Sequence, residues 1–202
     1  MKKYLVIGNP IEHSLSPKLH NFWMKKNNIN AIYEKEKILD SDLKDLIAKV
    51  QKGEISGINV TVPFKKKVID YLDQLSIGSK ITQSVNTISL NGKNLIGYNT
   101  DIDGFELAIK NINFNVLNKK ILILGAGGVV SSIIFALKKL KAQQIIVSNR
   151  TKEKAENLKK LFKDIEIINW GNVPDFDLII NATSVGLKKD DKISLDLSKI
   201  SK

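Results

Sequence analysis

The chain has 202 residues, 43% of them hydrophobic, and a formal net charge of +11 at pH 7. This length allows one large domain or two small ones, each with its own core. The absence of cysteine excludes disulfides and thiolate metal sites, and two histidines argue against a histidine-rich metal centre. Because no apolar run approaches the ~20 residues of a membrane span, we expect a cytoplasmic protein.

The positive charge raises the hypothesis of nucleic-acid binding. However, the excess is almost entirely lysine spread along the chain, and Arg150 is the sole arginine. Arginine is the side chain that most often reads guanine edges. We therefore favour a positive field that attracts small anionic substrates, and we expect neither nucleic acid nor a membrane as a partner.

The first half of the chain alternates apolar runs of strand length with helical patterns. Its first helix is expected to have Ser16 as its cap and Pro17 at its first position. A turn at Asn91-Gly92 predicts a hairpin. The predicted elements of this half are strands at 4–8, 31–38 and 57–62, a hairpin at 84–100, and helices at 16–27, 40–53 and 63–75.

The second half shows the same alternation of strand and helix patterns. This alternation predicts an α/β fold with a mainly parallel sheet in each half. We expect a substrate domain at 1–100 and a Rossmann-like domain at 101–202, with the helix at 101–112 bridging them. The stretch at 188–202 is polar and lacks a closing helix, so we expect this domain to be incomplete at its C-terminus. The predicted elements are helices at 101–112, at about 129–141 and at 151–162, and strands at 119–128, 144–150, 165–168 and 176–183.

A glycine-rich loop follows the first strand of the second half. Gly125, Gly127 and Gly128 lie where the strand ends and a helix begins. A dinucleotide pyrophosphate requires such glycines, because the backbone must approach it closely and the helix N-terminus stabilises the anion. The loop therefore predicts a dinucleotide site, and a plain strand–turn–helix connection is the alternative.

The end of the next strand indicates which dinucleotide is bound. NAD-binding proteins usually carry a carboxylate about 20 residues after the glycines, where it accepts a hydrogen bond from the ribose. This chain has Asn149-Arg150-Thr151 there, with Lys154 one helical turn later. A guanidinium suits a 2′-phosphate, which a carboxylate would repel. We therefore expect NADP rather than NAD; an ordinary surface arginine is the alternative.

Three consecutive lysines stand in the stretch INVTVPFKKKVID. On an α-helix of ~100° per residue, Lys66 lies on the polar side beside Asp70 and Lys67 at a border. Lys65 falls within the apolar arc, where a lysine is costly unless its ammonium reaches a partner or a cleft. We interpret Lys66 and Lys67 as solvent-facing and Lys65 as a candidate functional residue, with snorkelling as the alternative.

Polar residues follow several of the predicted strands. Thr61 and Lys65 follow one, Asn86 lies in another short segment, and Asp101 follows a third in GYNTDIDG. Because ligands of parallel α/β domains gather at the carboxyl ends of strands, we expect these groups to converge. A Lys65–Asp101 pair could position a hydroxyl and exchange its proton. The alternative for Asp101 is helix capping.

Ser14 and Ser16 lie in a loop that precedes the first helix. Two hydroxyls and neighbouring backbone N–H groups suit a carboxylate. The alternative is that Ser16 only caps the helix. His13 and His20 are interpreted as structural.

These motifs resemble those of the shikimate dehydrogenase family in order and spacing, over the whole chain. Members of that family reduce 3-dehydroshikimate to shikimate with NADPH in aromatic amino-acid biosynthesis. The resemblance implies a monomer or homodimer whose substrate is shikimate or 3-dehydroshikimate. The matching motifs are GNPIEHSLSPKLHN, NVTVPFK, VNT, GYNTDIDG, GAGG, NRT and NATSVG.

The resemblance also implies roles for single residues. Ser14 and Ser16 would bind the substrate carboxylate, and Lys65 would be the catalytic acid and base, with Asp101 as its catalytic partner. The ring hydroxyls would be held by Asn59, Thr61, Asn86 and Asp101. The cofactor would be held by Gly125, Ala126, Gly127, Gly128, Val129, Asn149, Arg150, Thr151 and Lys154.

The chain departs from the family pattern in places. Gln83-Ser84 stands where the family has Gly-Ala, and Ser131 where an arginine is often found. The family also continues beyond the point where this chain ends. Two alternatives are therefore kept: a quinate/shikimate dehydrogenase that uses NAD, and a truncated remnant that binds ligand without turnover.

Overall fold

A computed structural model describes residues 1–186, 190–193 and 195. The chain divides into two compact units, Met1–Thr100 and Asp101–Lys202. Among the described residues, no helix has the length and apolar character required to cross a membrane.

In the first unit, all of whose residues are described, six strands form one mixed sheet in the order β2-β1-β3-β5-β6-β4. The parallel pairs are β1 with β2, β1 with β3, and β4 with β6, whereas β5 runs antiparallel to both β3 and β6. The strands are β1 (Lys2–Gly8), β2 (Ala31–Lys37), β3 (Gly57–Val60), β4 (Gln74–Leu75), β5 (Thr87–Asn91) and β6 (Asn94–Tyr98).

The two faces of this sheet differ. Leu5 and Ile7 of β1 point into the main core, which packs against the helix at 43–51. Val6 points to the other face, where the buried set is small: Val6, Ile11 and Tyr33. The helices are α1 (Ser16–Lys26), α2 (Leu43–Gln51) and α3 (Ile77–Thr82), with 3₁₀ turns at Asp40–Asp42 and Lys67–Tyr71.

The predicted helix at 63–75 is wrong. Residues 62–66 form turns, a 3₁₀ helix follows, and the chain is extended at Leu72 before it enters β4. Phe64 and Val68 are both buried. Their spacing of four residues is also that of one face of an α-helix, which explains the incorrect prediction. Pairing with β6 overrides the helical pattern, since the Asp73 N–H donates to the carbonyl of Leu95 at 3.1 Å.

The predicted cap of α1 is also wrong. Ser16 is already the first helical residue, and Leu15 occupies the cap position without a side-chain hydrogen bond. The Ser14 hydroxyl instead accepts a hydrogen bond from the Ser16 N–H at 3.4 Å. The short helix α3 was not predicted from the sequence.

In the second unit, the described strands form a parallel sheet in the order β10-β7-β8-β9. The central strand β7 has Ile121 to Leu124 at 1% exposure or less, as expected for a parallel strand covered on both faces. The predicted α/β class is confirmed. The elements are α4 (Asp101–Asn111), β7 (Lys120–Leu124), α5 (Val130–Lys139), β8 (Gln144–Ser148), α6 (Lys152–Leu161), β9 (Glu166–Ile168) and β10 (Leu178–Asn181).

Candidate substrate and cofactor sites

Polar side chains collect at the carboxyl edge of β1 and β3 in the first unit. The Thr61 N–H donates to the carbonyl of Ile7 at 2.9 Å, which ties the segment after β3 to the end of β1. On the other side of β3, Asn59 lies opposite Thr87, the first residue of β5. Asn86 directly precedes β5, so Asn59, Thr61 and Asn86 all lie at this edge.

The side-chain amide of Asn59 is bonded at both ends. Its Oδ1 accepts a hydrogen bond from the Tyr33 hydroxyl at 2.5 Å. Its Nδ2 donates to the carbonyl of Asn86 at 3.2 Å and to Thr87 Oγ1 at 2.9 Å. Asn59 therefore bridges β2, β3 and β5 on the face opposite the main core.

Asn86 is 9% exposed. Its side-chain amide is hydrogen-bonded to Thr87 and Thr100. Its Oδ1 accepts from the Thr100 N–H at 3.0 Å and lies 3.0 Å from Thr87 Oγ1. Its Nδ2 donates to Thr100 Oγ1 at 2.9 Å. Buried amides require such partners, and here they fix the orientation of the side chain.

Lys65 differs from the two lysines that follow it, as predicted, although it lies in a turn rather than on an α-helix. It is half-buried and adjacent to Phe64, which is 1% exposed. Lys66 and Lys67 are exposed, and Lys67 forms an ion pair with Asp40. The carbonyl of Lys65 accepts a hydrogen bond from the Val85 N–H at 2.8 Å, so its turn is joined to the segment that carries Asn86.

The remaining candidates of the substrate site lie at helix starts. Ser14 and Ser16 are half-buried at the beginning of α1, and Asp101 is the first residue of α4 in the second unit. His20 stacks on Tyr33 with ring centroids 4.2 Å apart, and burial lowers the pKa of its imidazole. Among the described residues, no cluster of acidic residues and histidines could hold a metal ion.

The glycine loop of the second unit joins β7 to α5. Gly125 is buried, and its N–H donates to the carbonyl of Ser148 at 2.8 Å. Gly127 and Gly128 are exposed, and a Cβ on Gly128 would have no neighbour within 4 Å. The loop thus leaves open backbone at the N-terminus of α5, as a bound pyrophosphate requires.

The turn after β8 lies beside this loop, because Leu124 and Ser148 are paired in the parallel sheet. Arg150 and Lys154 are exposed there, and the Asn149 side chain donates to the carbonyl of Thr151 at 2.7 Å, which shapes the turn. Arg150 and Lys154 are both cations, and no carboxylate occupies the strand end at 149–151, which fits a 2′-phosphorylated ribose. The residues present therefore fit NADP, and 125–129 with 149–154 would hold it.

We expect Gly125→Ala to destabilise the second unit. Gly125 has φ +110°, and a Cβ there would lie 2.7 Å from the carbonyl oxygen of Ala182. The backbone conformation alone should cost roughly 1–3 kcal/mol for a non-glycine residue. Urea unfolding measures this loss. Gly128→Ala, which meets open space, is the matched control, and equal stability of the two variants would contradict the prediction.

Thr87, Thr100 and Tyr33 were not chosen as functional residues from the sequence. The two threonines occur within motifs that the sequence did offer, VNT and YNT. Tyr33 carries no local signal, because its contact with Asn59 arises only from the order of strands in the sheet.

Family models match both units of the chain. The model described as "Shikimate dehydrogenase substrate binding domain" covers residues 6–88. The model described as "Shikimate / quinate 5-dehydrogenase" covers residues 106–188. The motifs and the family models therefore agree.

Curated relatives and solved structures give the same result. Shikimate dehydrogenase (NADP(+)) of Pelagibacter ubique is 59% identical over 201 residues, covering 100% of this chain and 76% of the relative. The shikimate dehydrogenase of Aquifex aeolicus matches with TM-score 0.86 and 38% identity over 95% of this chain and 72% of its own. That of Thermus thermophilus, solved with NADP(H) and shikimate, matches with TM-score 0.83 and 31% identity over 93% and 70%.

The relatives are named with NADP(+) as their cofactor, in agreement with the arginine that replaces a carboxylate after β8. The resemblance seen in the motifs is confirmed, and the chain belongs to the family of NADP-dependent shikimate dehydrogenases.

Proposed function

We propose that the protein catalyses the reduction of 3-dehydroshikimate to shikimate with NADPH, and the reverse oxidation, in the shikimate pathway. The observation that carries this proposal is the polar edge of the first sheet, where the Lys65 turn is hydrogen-bonded to the strand segment of Asn86. A relative that matches over most of this chain is solved with shikimate and NADP(H), which supports the assignment.

The substrate offers one carboxylate and a ring with several oxygens. Ser14 and Ser16 are proposed to bind the carboxylate, since hydroxyls and N–H groups at a helix start suit an anion. Asn59, Thr61 and Asn86 are proposed to hold ring hydroxyls from one edge of the first sheet. Asp101 is proposed to accept from a further hydroxyl.

NADPH, when bound, supplies a hydride to the carbonyl carbon, and NADP accepts it in the reverse direction. The proposed residues for its pyrophosphate are Gly125 to Val129, at the N-terminus of α5. The 2′-phosphate would be bound by Asn149, Arg150, Thr151 and Lys154, whose two cations complement its charge.

Lys65 is proposed as the general acid and base. In reduction its ammonium donates a proton to the oxygen that becomes the alcohol, and the neutral amine takes that proton back in oxidation. Lys65 is half-buried next to the buried Phe64, and a long lysine side chain can keep its ammonium accessible to a ligand from such a position.

A steady-state assay tests the proposed function. Purified protein is supplied with shikimate or quinate, each with NADP or NAD, and formation of the reduced cofactor is followed. We expect turnover with shikimate and NADP to exceed that of the other three pairs. Faster turnover of quinate with NAD would contradict the proposal, as would shikimate binding without turnover of any pair.

A further inference from the structure

We propose that Tyr33 is a positioning residue of the substrate site, whose hydroxyl holds the side-chain oxygen of Asn59 in place and, through Thr87, supports the side-chain amide of Asn86. The proposal rests on the proposed function for the identity of the ligand. The network itself is a feature of the first unit and can be tested without a ligand.

Strand order places Tyr33 within reach of Asn59. β1 lies between β2 and β3, with Tyr4 opposite Tyr33 on one side and Val6 opposite Asn59 on the other. Residues two apart on a strand share a face, so all four side chains lie on the face opposite the main core. Tyr33 is 4% exposed, and its hydroxyl reaches across β1 to Asn59 Oδ1 at 2.5 Å.

The direction of these hydrogen bonds follows from the backbone. Asn59 Nδ2 faces the carbonyl of Asn86 at 3.2 Å, and a carbonyl can only accept. The amide therefore cannot be rotated by 180°, and its Oδ1 must face Tyr33. Tyr33 is then necessarily the donor, and one acceptor position of Asn59 Oδ1 remains for a substrate hydroxyl.

The same reasoning continues to Asn86. The N–H of Thr100 can only donate, so the Oδ1 of Asn86 must face it at 3.0 Å. Thr87 Oγ1 accepts from Asn59 at 2.9 Å and therefore uses its proton toward Asn86 Oδ1, 3.0 Å away. Donation thus runs in one direction from Tyr33 to Asn86, and chains of this kind strengthen each bond.

Tyr33 itself is held firmly by α1. The Asn21 side chain donates to the carbonyl of Tyr33 at 2.8 Å and accepts from its N–H at 2.9 Å. His20 stacks on its ring from the same helix. Burial raises the pKa of Tyr33 to about 12, so its hydroxyl stays protonated as a donor at neutral pH.

Tyr33→Phe is the direct test, because it removes the hydroxyl and keeps the ring. Leaving Asn59 Oδ1 without its donor should weaken shikimate binding, measured as Kd by calorimetry, by about tenfold. Tyr4→Phe is the matched control, because Tyr4 lies on the neighbouring strand and on the same face. Among the described residues, the Tyr4 hydroxyl makes no hydrogen bond. NADP affinity should be unchanged in both variants.

A readout without ligand separates this inference from the proposed function. In ¹H–¹⁵N spectra, Tyr33→Phe should shift the side-chain amide signals of Asn59 and Asn86, and Tyr4→Phe should leave them in place. These shifts are expected even if the wild type neither binds nor oxidises shikimate, which would refute only the proposed function. Unshifted amide signals, or equal shikimate Kd values for the two variants, would overturn the inference.

Thr87→Val provides a second route if Tyr33→Phe folds poorly. It removes the hydroxyl that joins Asn59 Nδ2 to the side-chain oxygen of Asn86, leaves the bond from Asn59 to the main-chain carbonyl of Asn86, and retains the β-branching of the side chain. The Asn86 amide signal should shift while the Asn59–Tyr33 pair stays in place. In this background, Tyr33→Phe should no longer shift Asn86, as coupled residues are not additive. Additive shifts of the Asn86 amide signal in the double variant would overturn the transmission from Tyr33 to Asn86 through Thr87.

Discussion

Lys65→Ala is expected to lower kcat for the oxidation of shikimate with NADP by about 10²–10⁴-fold, the usual contribution of a positioned acid or base. The reason is that the variant lacks the Lys65 amine, which is proposed to accept the proton of the substrate alcohol. Shikimate Kd should change much less than kcat, since a proton-transfer group acts mainly in the transition state. Steady-state kinetics together with calorimetry measure both quantities.

Lys66→Ala is the control for this prediction. It removes the same charge and the same number of atoms from the neighbouring position, whose side chain is exposed. Its kcat should remain near that of the wild type. Comparable losses in the two variants would show that net positive charge, rather than a placed proton, supports turnover.

Arg150→Ala is expected to raise the Kd of NADP by about 10- to 100-fold, because hydrogen bonds to a charged group contribute ≈ 1.5–3 kcal/mol each. The Kd of NAD, which lacks the 2′-phosphate, should not change. Fluorescence titration with the two oxidised cofactors measures this difference. The pattern follows from the position of Arg150 in the exposed turn after β8, beside the glycine loop.

Lys159→Ala is the matched control for Arg150. Lys159 is an exposed cation in the last turn of α6, whereas Arg150 precedes the first turn of that helix. The loss of general attraction for an anion should be similar in both variants, and only Arg150→Ala should discriminate NADP from NAD. Equal weakening of NAD binding by Arg150→Ala would contradict recognition of the 2′-phosphate.

Much of the fold follows from local patterns in the sequence. The apolar run at 121–124 predicts a parallel strand that is covered on both faces. The pair Asn91-Gly92 predicts the hairpin of β5 and β6 because it favours a tight turn. The segment at 63–75 could not be predicted in this way. Its apolar spacing is compatible with a helix, and only pairing with β6, distant in sequence, turns its end into β4.

The same difference between local patterns and long-range contacts applies to the candidate site. The glycine loop and Arg150 are recognisable because strand, loop and helix are contiguous in sequence. The sequence distinguishes Lys65 from its neighbours on the assumption of an α-helix, whereas the structure has a turn at this position. Lys65 is nevertheless half-buried, next to the buried Phe64. The contact of Tyr33 with Asn59 depends on the order β2-β1-β3, which alternation of strands and helices does not specify.

The hydrogen bond from the Val85 N–H to the Lys65 carbonyl bears on which substitutions this segment tolerates. Both of its partners are main-chain groups, so any residue that accepts the local conformation preserves it. The path from residue 65 to Asn86 is therefore independent of the side chains at 66 and 67, which face solvent. Substitutions at those two positions should therefore leave the backbone of residue 65 in place.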